Sequence, residues 1–390
     1  MSSLTWVDFD AEEQKRVQHI LAMFEESTTR NELGLAAIRD SISDHFFPGT
    51  STIHTRLRYM LFIPWMLQEI EEREASERVN LTTLRKYEGL LIDALEAGGE
   101  TNGVIGQRSR SQLQRLPTHI YWYGLESWGI RIFHGSLDSY LAALRQLKQT
   151  GGAISQINPE DTEPRSFLIE SLPKAPEGFL DKVDFTLRTE EAEFLRDRLS
   201  KSHRNTLLTQ LSVRDYADCN YVWEHPCLSE LEEITRDLLE HARLFSHLMH
   251  GAALLYGLQI CELLERDDWL EKHSEALHQW TTELELGALR HWSLDKLRGS
   301  DFHDFHAIKP KVRNFVAEWK TRVVETQGNL ANDPKARELI KKRERGLKGS
   351  KSRFTNSSVR RMWNGETTSG RMDFRWPQAN SYLRDLANAQ

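Results

Sequence analysis

Apolar residues recur every three or four positions along most of the chain, a spacing that predicts amphipathic helices. The clearest example covers residues 81–97, with apolar side chains on one face and two glycines directly after it. A longer helix is predicted from residue 229 to about 266, because Ser229 and Glu232 match the Ser-x-x-Glu capping box. The pattern therefore favours a mainly α-helical protein.

The N-terminal part is predicted to contain short helices separated by a tight turn. Helical spacing covers residues 11–23 and 29–43, and Pro48 with the glycine after it turns the chain. We expect Thr52 to cap the next helix, which carries an apolar run that contains Pro64. The proline should kink this helix or begin a new one.

The region 99–135 departs from the helical pattern because it is rich in glycine and aromatic residues. Short strands fit residues 120–123 and 129–133, and helical pieces fit them equally well. We therefore predict a mainly α, multi-helix, two-part globular protein with at most a few short strands in the region 99–135.

The length of the chain predicts more than one domain. A single hydrophobic core stops growing at about 250–300 residues, and this chain has 390. Four prolines between residues 151 and 180 indicate a linker. The predicted parts are an N-terminal helical domain at 1–150, a linker at 151–180, a helical bundle at 181–330, and a basic C-terminal helix and tail at 331–390.

Composition narrows the class of protein further. A net charge of −7 argues against a chain that coats nucleic acid over its whole surface. The three cysteines form no Cys-x-x-Cys pair, so neither a disulfide framework nor a zinc knuckle is predicted. The longest apolar runs are too short or too interrupted to cross a bilayer. We expect a cytoplasmic protein without a membrane partner.

Positive charge is concentrated near the C-terminus. Residues 334–361 contain eleven lysines and arginines against two acids, a net +9, while the rest of the chain carries −16. Helical winding gives this segment an apolar stripe that includes Ile340 and Leu347, with Arg343 among them and in need of a partner. The cations predicted to contact nucleic acid are Lys335, Arg337, Lys341, Lys342, Arg345, Lys348, Lys351, Arg353, Arg360 and Arg361.

The basic segment allows two interpretations. It binds DNA or RNA through phosphate contacts, each of which makes the affinity more sensitive to salt. Alternatively it lies against an acidic surface, either an internal one such as residues 69–77 or that of a partner protein. A run of positive charge does not distinguish nucleic-acid binding from contact with an acidic protein surface.

Two arginines, Arg56 and Arg58, stand directly before the apolar run at 59–65. A guanidinium group close to a hydrophobic core is costly unless an anion meets it. Both residues are therefore candidates for binding an anionic ligand, and the alternative is a structural ion pair with Asp40 or Asp44.

The sequence contains no complete catalytic motif. The histidines of the predicted long helix lack the Glu-x-x-His spacing of carboxylate-bridged metal sites, and His-Glu-x-x-His is absent. We therefore predict no catalytic residue, no metal and no cofactor. A metal-dependent nuclease remains an alternative, with Asp304, Glu318 and Lys320 or the polar segment 301–306 as its residues.

Several blocks spread over the chain resemble an uncharacterised bacterial family of unknown function. They are ELG at 32–34, IRD at 38–40, FPGTS at 47–51, TRLRYMLFIPW at 55–65, PTHIYWYGLESWGI at 117–130, HARLFSHLMHGAALLY at 241–256, RERGLKGSKSR at 343–353 and FRWPQANSYLRDL at 374–386. Members of this family are often encoded beside helicases and phospholipase-D-like nucleases in anti-phage defence islands. The resemblance implies a defence-associated role and assigns no catalytic residue.

Together these features predict a non-catalytic nucleic-acid-binding or scaffold subunit of a bacterial anti-phage defence system. Its expected partners are DNA or RNA and other defence proteins such as a helicase or a nuclease. The alternatives are the metal-dependent nuclease and a structural protein whose basic helix clamps an acidic partner subunit.

Overall fold

The computed structural model describes residues 33–108, 110, 113, 115–149, 167–298, 308–363, 365 and 371–390. Two predicted features lie outside these residues. They are the helix at 11–23 and the polar segment 301–306, which includes Asp304.

The described residues form fourteen α-helices. In chain order they are α1 (Ala36–Phe46), α2 (Tyr59–Arg73), α3 (Leu81–Ala97), α4 (Pro117–Ser127), α5 (Leu137–Gln149), α6 (Thr189–Ser202), α7 (Leu207–Ser212), α8 (Glu233–Leu264), α9 (Asp267–Thr282), α10 (Leu286–His291), α11 (Pro310–Glu325), α12 (Pro334–Lys348), α13 (Ser357–Arg361) and α14 (Trp376–Ala387). None of these helices is both long and apolar enough to cross a bilayer.

The predicted mainly α fold class is confirmed. Residues 120–123 lie inside α4, so the helical alternative holds there. At 129–133 the chain makes a single isolated antiparallel bridge, between Arg131 and Leu168, and the described residues contain no strand beyond it.

Helix starts are predicted well where a polar side chain caps the first turn. Asn80 accepts a hydrogen bond from the Thr83 amide at 3.0 Å, and α3 has the predicted bounds. Pro310 and Pro334 each occupy the first position of a helix, where the missing amide hydrogen is not needed.

Two predicted helix starts are wrong. Thr52 caps no helix, since residues 50–58 are turns and extended chain and α2 begins only at Tyr59, then continues through Pro64. Ser229 lies in a 3-10 turn before α8. The Glu232 amide donates instead to Gln210 Oε1 at 2.9 Å, a contact that local sequence does not encode.

The contacts divide the chain into two compact units, and each unit is made of two separate stretches. Unit 1 contains residues up to Ser43 together with Arg236–Phe374. Unit 2 contains Asp44–Thr235 together with Arg375–Gln390. Unit 2 thus includes residues on both sides of the predicted linker at 151–180, most of which is outside the described residues.

Unit 1 is organised around α8. Three buried tryptophans from other elements each donate an indole hydrogen bond to a main-chain carbonyl of this helix. The pairs are Trp280 to His247 at 2.8 Å, Trp292 to His241 at 3.1 Å and Trp319 to Leu248 at 2.9 Å. These bonds fix the register of the surrounding helices, because a buried indole N–H needs an acceptor.

Unit 2 is organised around α2, whose residues 59–67 are all buried. Phe62 packs against the rings of Phe179, near the end of the predicted linker, and Phe185, which follows the linker. The Trp65 indole donates to the Pro173 carbonyl at 2.6 Å. A helix that is buried on all sides needs apolar residues on every face, so its sequence is a continuous apolar run. This run distinguishes residues 59–67 in the sequence.

The first prediction concerns Gly251 on α8. A Cβ at this position would overlap the indole ring of Trp280, so Gly251→Ala must push α9 away from α8. We expect this variant to lose about 1–3 kcal/mol of unfolding free energy in urea denaturation. Gly287→Ala is the matched control. Nothing lies within 4 Å of its Cβ position, so it should be neutral or stabilising. Equal losses in both variants would contradict the packing argument.

The second prediction concerns the buried carboxyl of Glu88 on α3. Its Oε1 accepts hydrogen bonds from the amide of Thr118 at 2.9 Å and from the Thr118 hydroxyl at 2.6 Å. Its Oε2 has no partner among the described residues. Burial raises the pKa of Glu88 from 4.5 to about 7, so the folded protein holds this proton more tightly than the unfolded chain.

The stability that comes from neutral Glu88 is therefore fully present below pH 4.5 and is lost as the pH rises through about 7. Glu88→Gln should remove this loss and gain up to about 3 kcal/mol over the wild type between pH 5 and pH 8. Denaturation midpoints of the wild type and Glu88→Gln at pH 5 and pH 8 test this. The control is Glu77→Gln, because Glu77 is exposed. An unchanged pH dependence in Glu88→Gln would refute the assignment.

Candidate nucleic-acid interface

Local sequence fixes both ends of α12 in unit 1. At the start, Asp333 accepts a hydrogen bond from the Ala336 amide at 2.7 Å. The same carboxylate pairs with Arg322 of α11 at 2.6 Å, which ties the start of α12 to its neighbour. Gly349 ends the helix with a φ of 53°, which glycine adopts more easily than other residues.

The inner face of α12 is narrow. Ala336, Ile340 and Glu344 are buried and stand one turn apart. Leu347, which the winding predicts to be on the apolar stripe, is 44% exposed, with its methyl groups beside Gly34. The stripe is therefore narrower than predicted and contains a carboxylate.

Arg343 has the partners that its position requires. Its guanidinium donates to the main-chain carbonyls of Leu33 at 2.9 Å, Lys311 at 3.2 Å and Gly34 at 3.3 Å. It also lies 5.0 Å from the ring centroid of Phe315 on α11. Burial lowers the pKa of Arg343 below its usual 12.5, and no carboxylate is needed to hold it in place.

Glu344 is fully buried and is held by the segment that follows the helix. The Ser352 hydroxyl donates to one carboxylate oxygen, and the Arg353 amide donates to the other at 2.8 Å. A buried carboxylate needs such donors, because leaving it unpaired is costly. The two contacts fold the chain after Gly349 back against α12.

The outer face of α12 and the segment after it carry unpaired cations. Lys335, Lys342 and Arg345 are exposed and point away from the buried Ile340 by helical winding. Within the described part of the chain, six of the predicted cations form no ion pair with a carboxylate. They are Lys335, Lys341, Lys342, Arg345, Lys351 and Arg361. Glu338 is the acid that shares this face.

The other predicted cations are engaged. Arg337 forms an ion pair with Glu262 of α8, with one contact at 3.1 Å. Arg353 donates to the Tyr256 hydroxyl at 3.1 Å, and Arg360 donates to the carbonyl of Arg353 at 2.9 Å. Lys348 also has an interaction partner. The three arginines hold unit 1 together more than they present charge.

In unit 2, Arg58 is the centre of a buried ion-pair cluster. Its guanidinium is 4% exposed and donates twice to Glu191, at 2.9 and 2.8 Å. The remaining edge donates to the Asp184 carbonyl at 2.8 Å and to its carboxylate at 3.1 Å. Glu191 also accepts the Arg188 amide at the start of α6. The cluster therefore ties the residue before α2 to the start of α6.

Arg56 is paired in a similar way. It contacts both oxygens of Asp385 on α14 at 3.0 and 3.1 Å, and this carboxylate also accepts the Leu57 amide at 2.9 Å. Its guanidinium lies 4.6 Å from the ring centroid of Phe185. The residue borders a cleft of about 450 Å³ that Arg384 also lines.

The partners predicted for the two arginines are wrong. Asp40 pairs with Arg39, and Asp44 pairs with Arg375. The actual partners, Asp184, Glu191 and Asp385, are more than a hundred residues away in sequence, and no local signal pairs them with Arg56 or Arg58. An anion-binding role for Arg56 and Arg58 stays a prediction, and the described partners already use four of the five N–H donors of Arg58.

Sequence reasoning also missed a buried polar contact around His54 in unit 2. Its Nδ1 lies 2.7 Å from the Tyr382 hydroxyl, and its Nε2 lies 3.0 Å from the Ile120 carbonyl. Burial lowers the pKa of His54 to about 4, so the ring is neutral. Nε2 then donates to the carbonyl, and Nδ1 accepts from Tyr382. This histidine joins α14 to α4 and acts as part of the core.

Two residues of the nuclease alternative, Glu318 and Lys320, lie among the described residues. Glu318 lies exposed on α11, and Asp304 is outside the described residues. The ammonium group of Lys320 donates to the carbonyls of Trp292 at 2.7 Å and Arg290 at 3.1 Å. Among the described residues, no three His, Cys, Asp or Glu side chains are grouped closely enough to hold a metal ion.

Fold and site together define a mainly α protein with a basic helix face. Comparison with known proteins makes the identification more specific. The family described as "Family of unknown function (DUF6361)" matches residues 1–390, and the chain therefore belongs to this family. The resemblance to an uncharacterised family is thus confirmed. No curated protein and no solved structure matches the chain.

The third prediction tests the Arg58 cluster. Arg58→Ala leaves the Glu191 carboxylate buried without its main partner, and we expect a loss of about 3–5 kcal/mol in urea denaturation. Lys201→Ala breaks an exposed pair with Asp197 and should cost less than about 1 kcal/mol. Equal losses of unfolding free energy in the two variants would contradict the stabilising role of the Arg58 cluster.

Proposed function

We propose that the protein binds nucleic acid without catalysing a reaction on it. The contact surface is the basic surface, defined as Lys335, Lys341, Lys342 and Arg345 of α12 with Lys351 and Arg361 after it. The observation that carries the proposal is that these six cations have no carboxylate partner among the described residues. Phosphate groups are the partners that such an array fits best.

The way α12 is held supports this proposal. Glu344 is buried and Arg343 is half-buried, and each is satisfied on the inner side of the helix. The six cations of the basic surface form no ion pair with a carboxylate among the described residues. The four cations on the outer face of α12 repel one another, and binding of an external polyanion relieves this repulsion.

The part played in the cell is proposed from the family resemblance. Members of the family that the chain resembles are often encoded beside helicases and nucleases. The proposed role of this chain is therefore that of a recognition or scaffold subunit of an anti-phage defence system. In such an assembly this chain would supply affinity for DNA or RNA, and a partner would supply the chemistry. An acidic protein partner for the same surface is the competing occupant, and the experiment below separates the two.

The fourth prediction is a fluorescence-anisotropy titration of labelled duplex DNA over a series of salt concentrations. Each phosphate contact should contribute about −0.9 to the slope of log K against log salt. Reversing four charges, with Lys335, Lys341, Lys342 and Arg345 changed to Glu, should abolish binding near physiological salt. In titrations at low salt, the slope of log K against log salt should become less negative by about 3–4.

The matched control reverses four exposed lysines on other elements. They are Lys86, Lys174, Lys182 and Lys272. This control has the same net charge as the first variant, so a general electrostatic effect would weaken both equally. Equal weakening, or no binding of the wild type at low salt, would reject the proposal. Capture of an acidic protein without nucleic acid would favour the competing occupant.

A further inference from the structure

The basic surface lacks the side chains that proteins use to read single-stranded bases. Between residues 334 and 363 the aromatic residues are Phe354 and Trp363, and both are buried. Proteins that bind single strands stack bases on exposed aromatic rings, and this part of the surface has none among the described residues.

The same stretch offers no free amide for reading base edges. Asn356 is its only asparagine or glutamine. The side-chain oxygen of Asn356 accepts the amides of Ser358 and Val359, and its nitrogen donates to the Ser350 carbonyl at 3.0 Å. An amide used in this way is not available for the adenine contacts that asparagine and glutamine usually make. Four of the six cations of the basic surface are lysines, which contact phosphates as point charges. Contacts to phosphates carry no sequence information.

Gly346 gives this surface one further property. It lies inside α12 and is exposed, and nothing described lies within 4 Å of the position of a Cβ. Its φ is not positive, so the helix does not require glycine for its conformation. Glycine inside a helix lowers stability relative to alanine. The fold therefore gains nothing from a glycine at this position.

Gly346 borders the outer face that carries the cations. It follows Arg345 directly and stands one turn after Lys342. A missing Cβ at that point lets another backbone approach the helix closely, which is a general use of glycine at binding sites. Lys342 and Arg345, which lie beside it, would then reach phosphates of the same strand.

We infer that the basic surface takes a nucleic-acid duplex by its phosphate backbone, without base specificity, and that Gly346 is the point of closest approach. This inference rests on the proposed function. A duplex fits better than a single strand because its phosphates form a rigid array, with about one charge per 1.7 Å of axis. Fixed cations along a rigid helix match such an array.

The test measures duplex binding and thermal stability for two alanine variants. Gly346→Ala should raise the melting temperature by a few degrees and weaken duplex binding about three- to ten-fold, because the added methyl group holds the phosphates away from the cations. Gly89→Ala is the matched control. It lies inside α3 with nothing within 4 Å of its Cβ position, so it should raise stability and leave binding unchanged.

Fluorescence anisotropy with a labelled 20-base-pair duplex supplies the binding values. Two duplexes of different sequence should bind within about two-fold of each other, and the single strand should bind at least about five-fold more weakly. Duplexes of DNA and RNA are both measured, and tight binding of either supports the inference.

Equal or tighter binding of the single strand would overturn the inference, as would a strong preference for one sequence. Unchanged duplex binding by Gly346→Ala would remove the role of the glycine. Each of these results leaves the proposed function standing, because the wild type still binds nucleic acid. Failure of the wild type to bind any of the probes at low salt rejects the proposed function itself.

Discussion

The position of α12 depends on two opposite charges, the buried Glu344 and the half-buried Arg343, which do not pair with each other. Arg343 is satisfied by main-chain carbonyls and the Phe315 ring, while Glu344 is satisfied by Ser352 and the Arg353 amide. Leaving either group unpaired in the core would be costly, so the helix cannot rotate about its axis without losing these contacts. This constraint turns the remaining cations outward.

Unit 2 uses buried charge in a different way. There the opposite charges pair directly, with Arg58 on Glu191 and Arg56 on Asp385. Both arginines stand in the turn before α2, whose apolar run forms the centre of the unit. A buried pair adds little net stability over apolar residues of the same size, but it penalises any other arrangement of the same elements. The pairs thus specify how α6 and α14 contact the start of α2.

Local sequence predicted the parts of this structure that depend on local interactions. The bounds of α3 and the need of Arg343 for a partner both follow from spacing and winding. The partners themselves do not follow. Glu191 is 133 residues from Arg58 and Asp385 is 329 residues from Arg56, and only the folded core brings them together. The burial of Glu344 was missed for the same reason, since its partners become visible only when the chain after Gly349 folds back.

The central claim is that the outward cations of α12 meet an external polyanion. Lysine acetylation followed by mass spectrometry measures this directly, with and without duplex DNA. The account predicts that DNA lowers the reactivity of Lys335, Lys341 and Lys342, while Lys86 and Lys174 react as before. Unchanged reactivity of the three α12 lysines in the presence of bound DNA would contradict it.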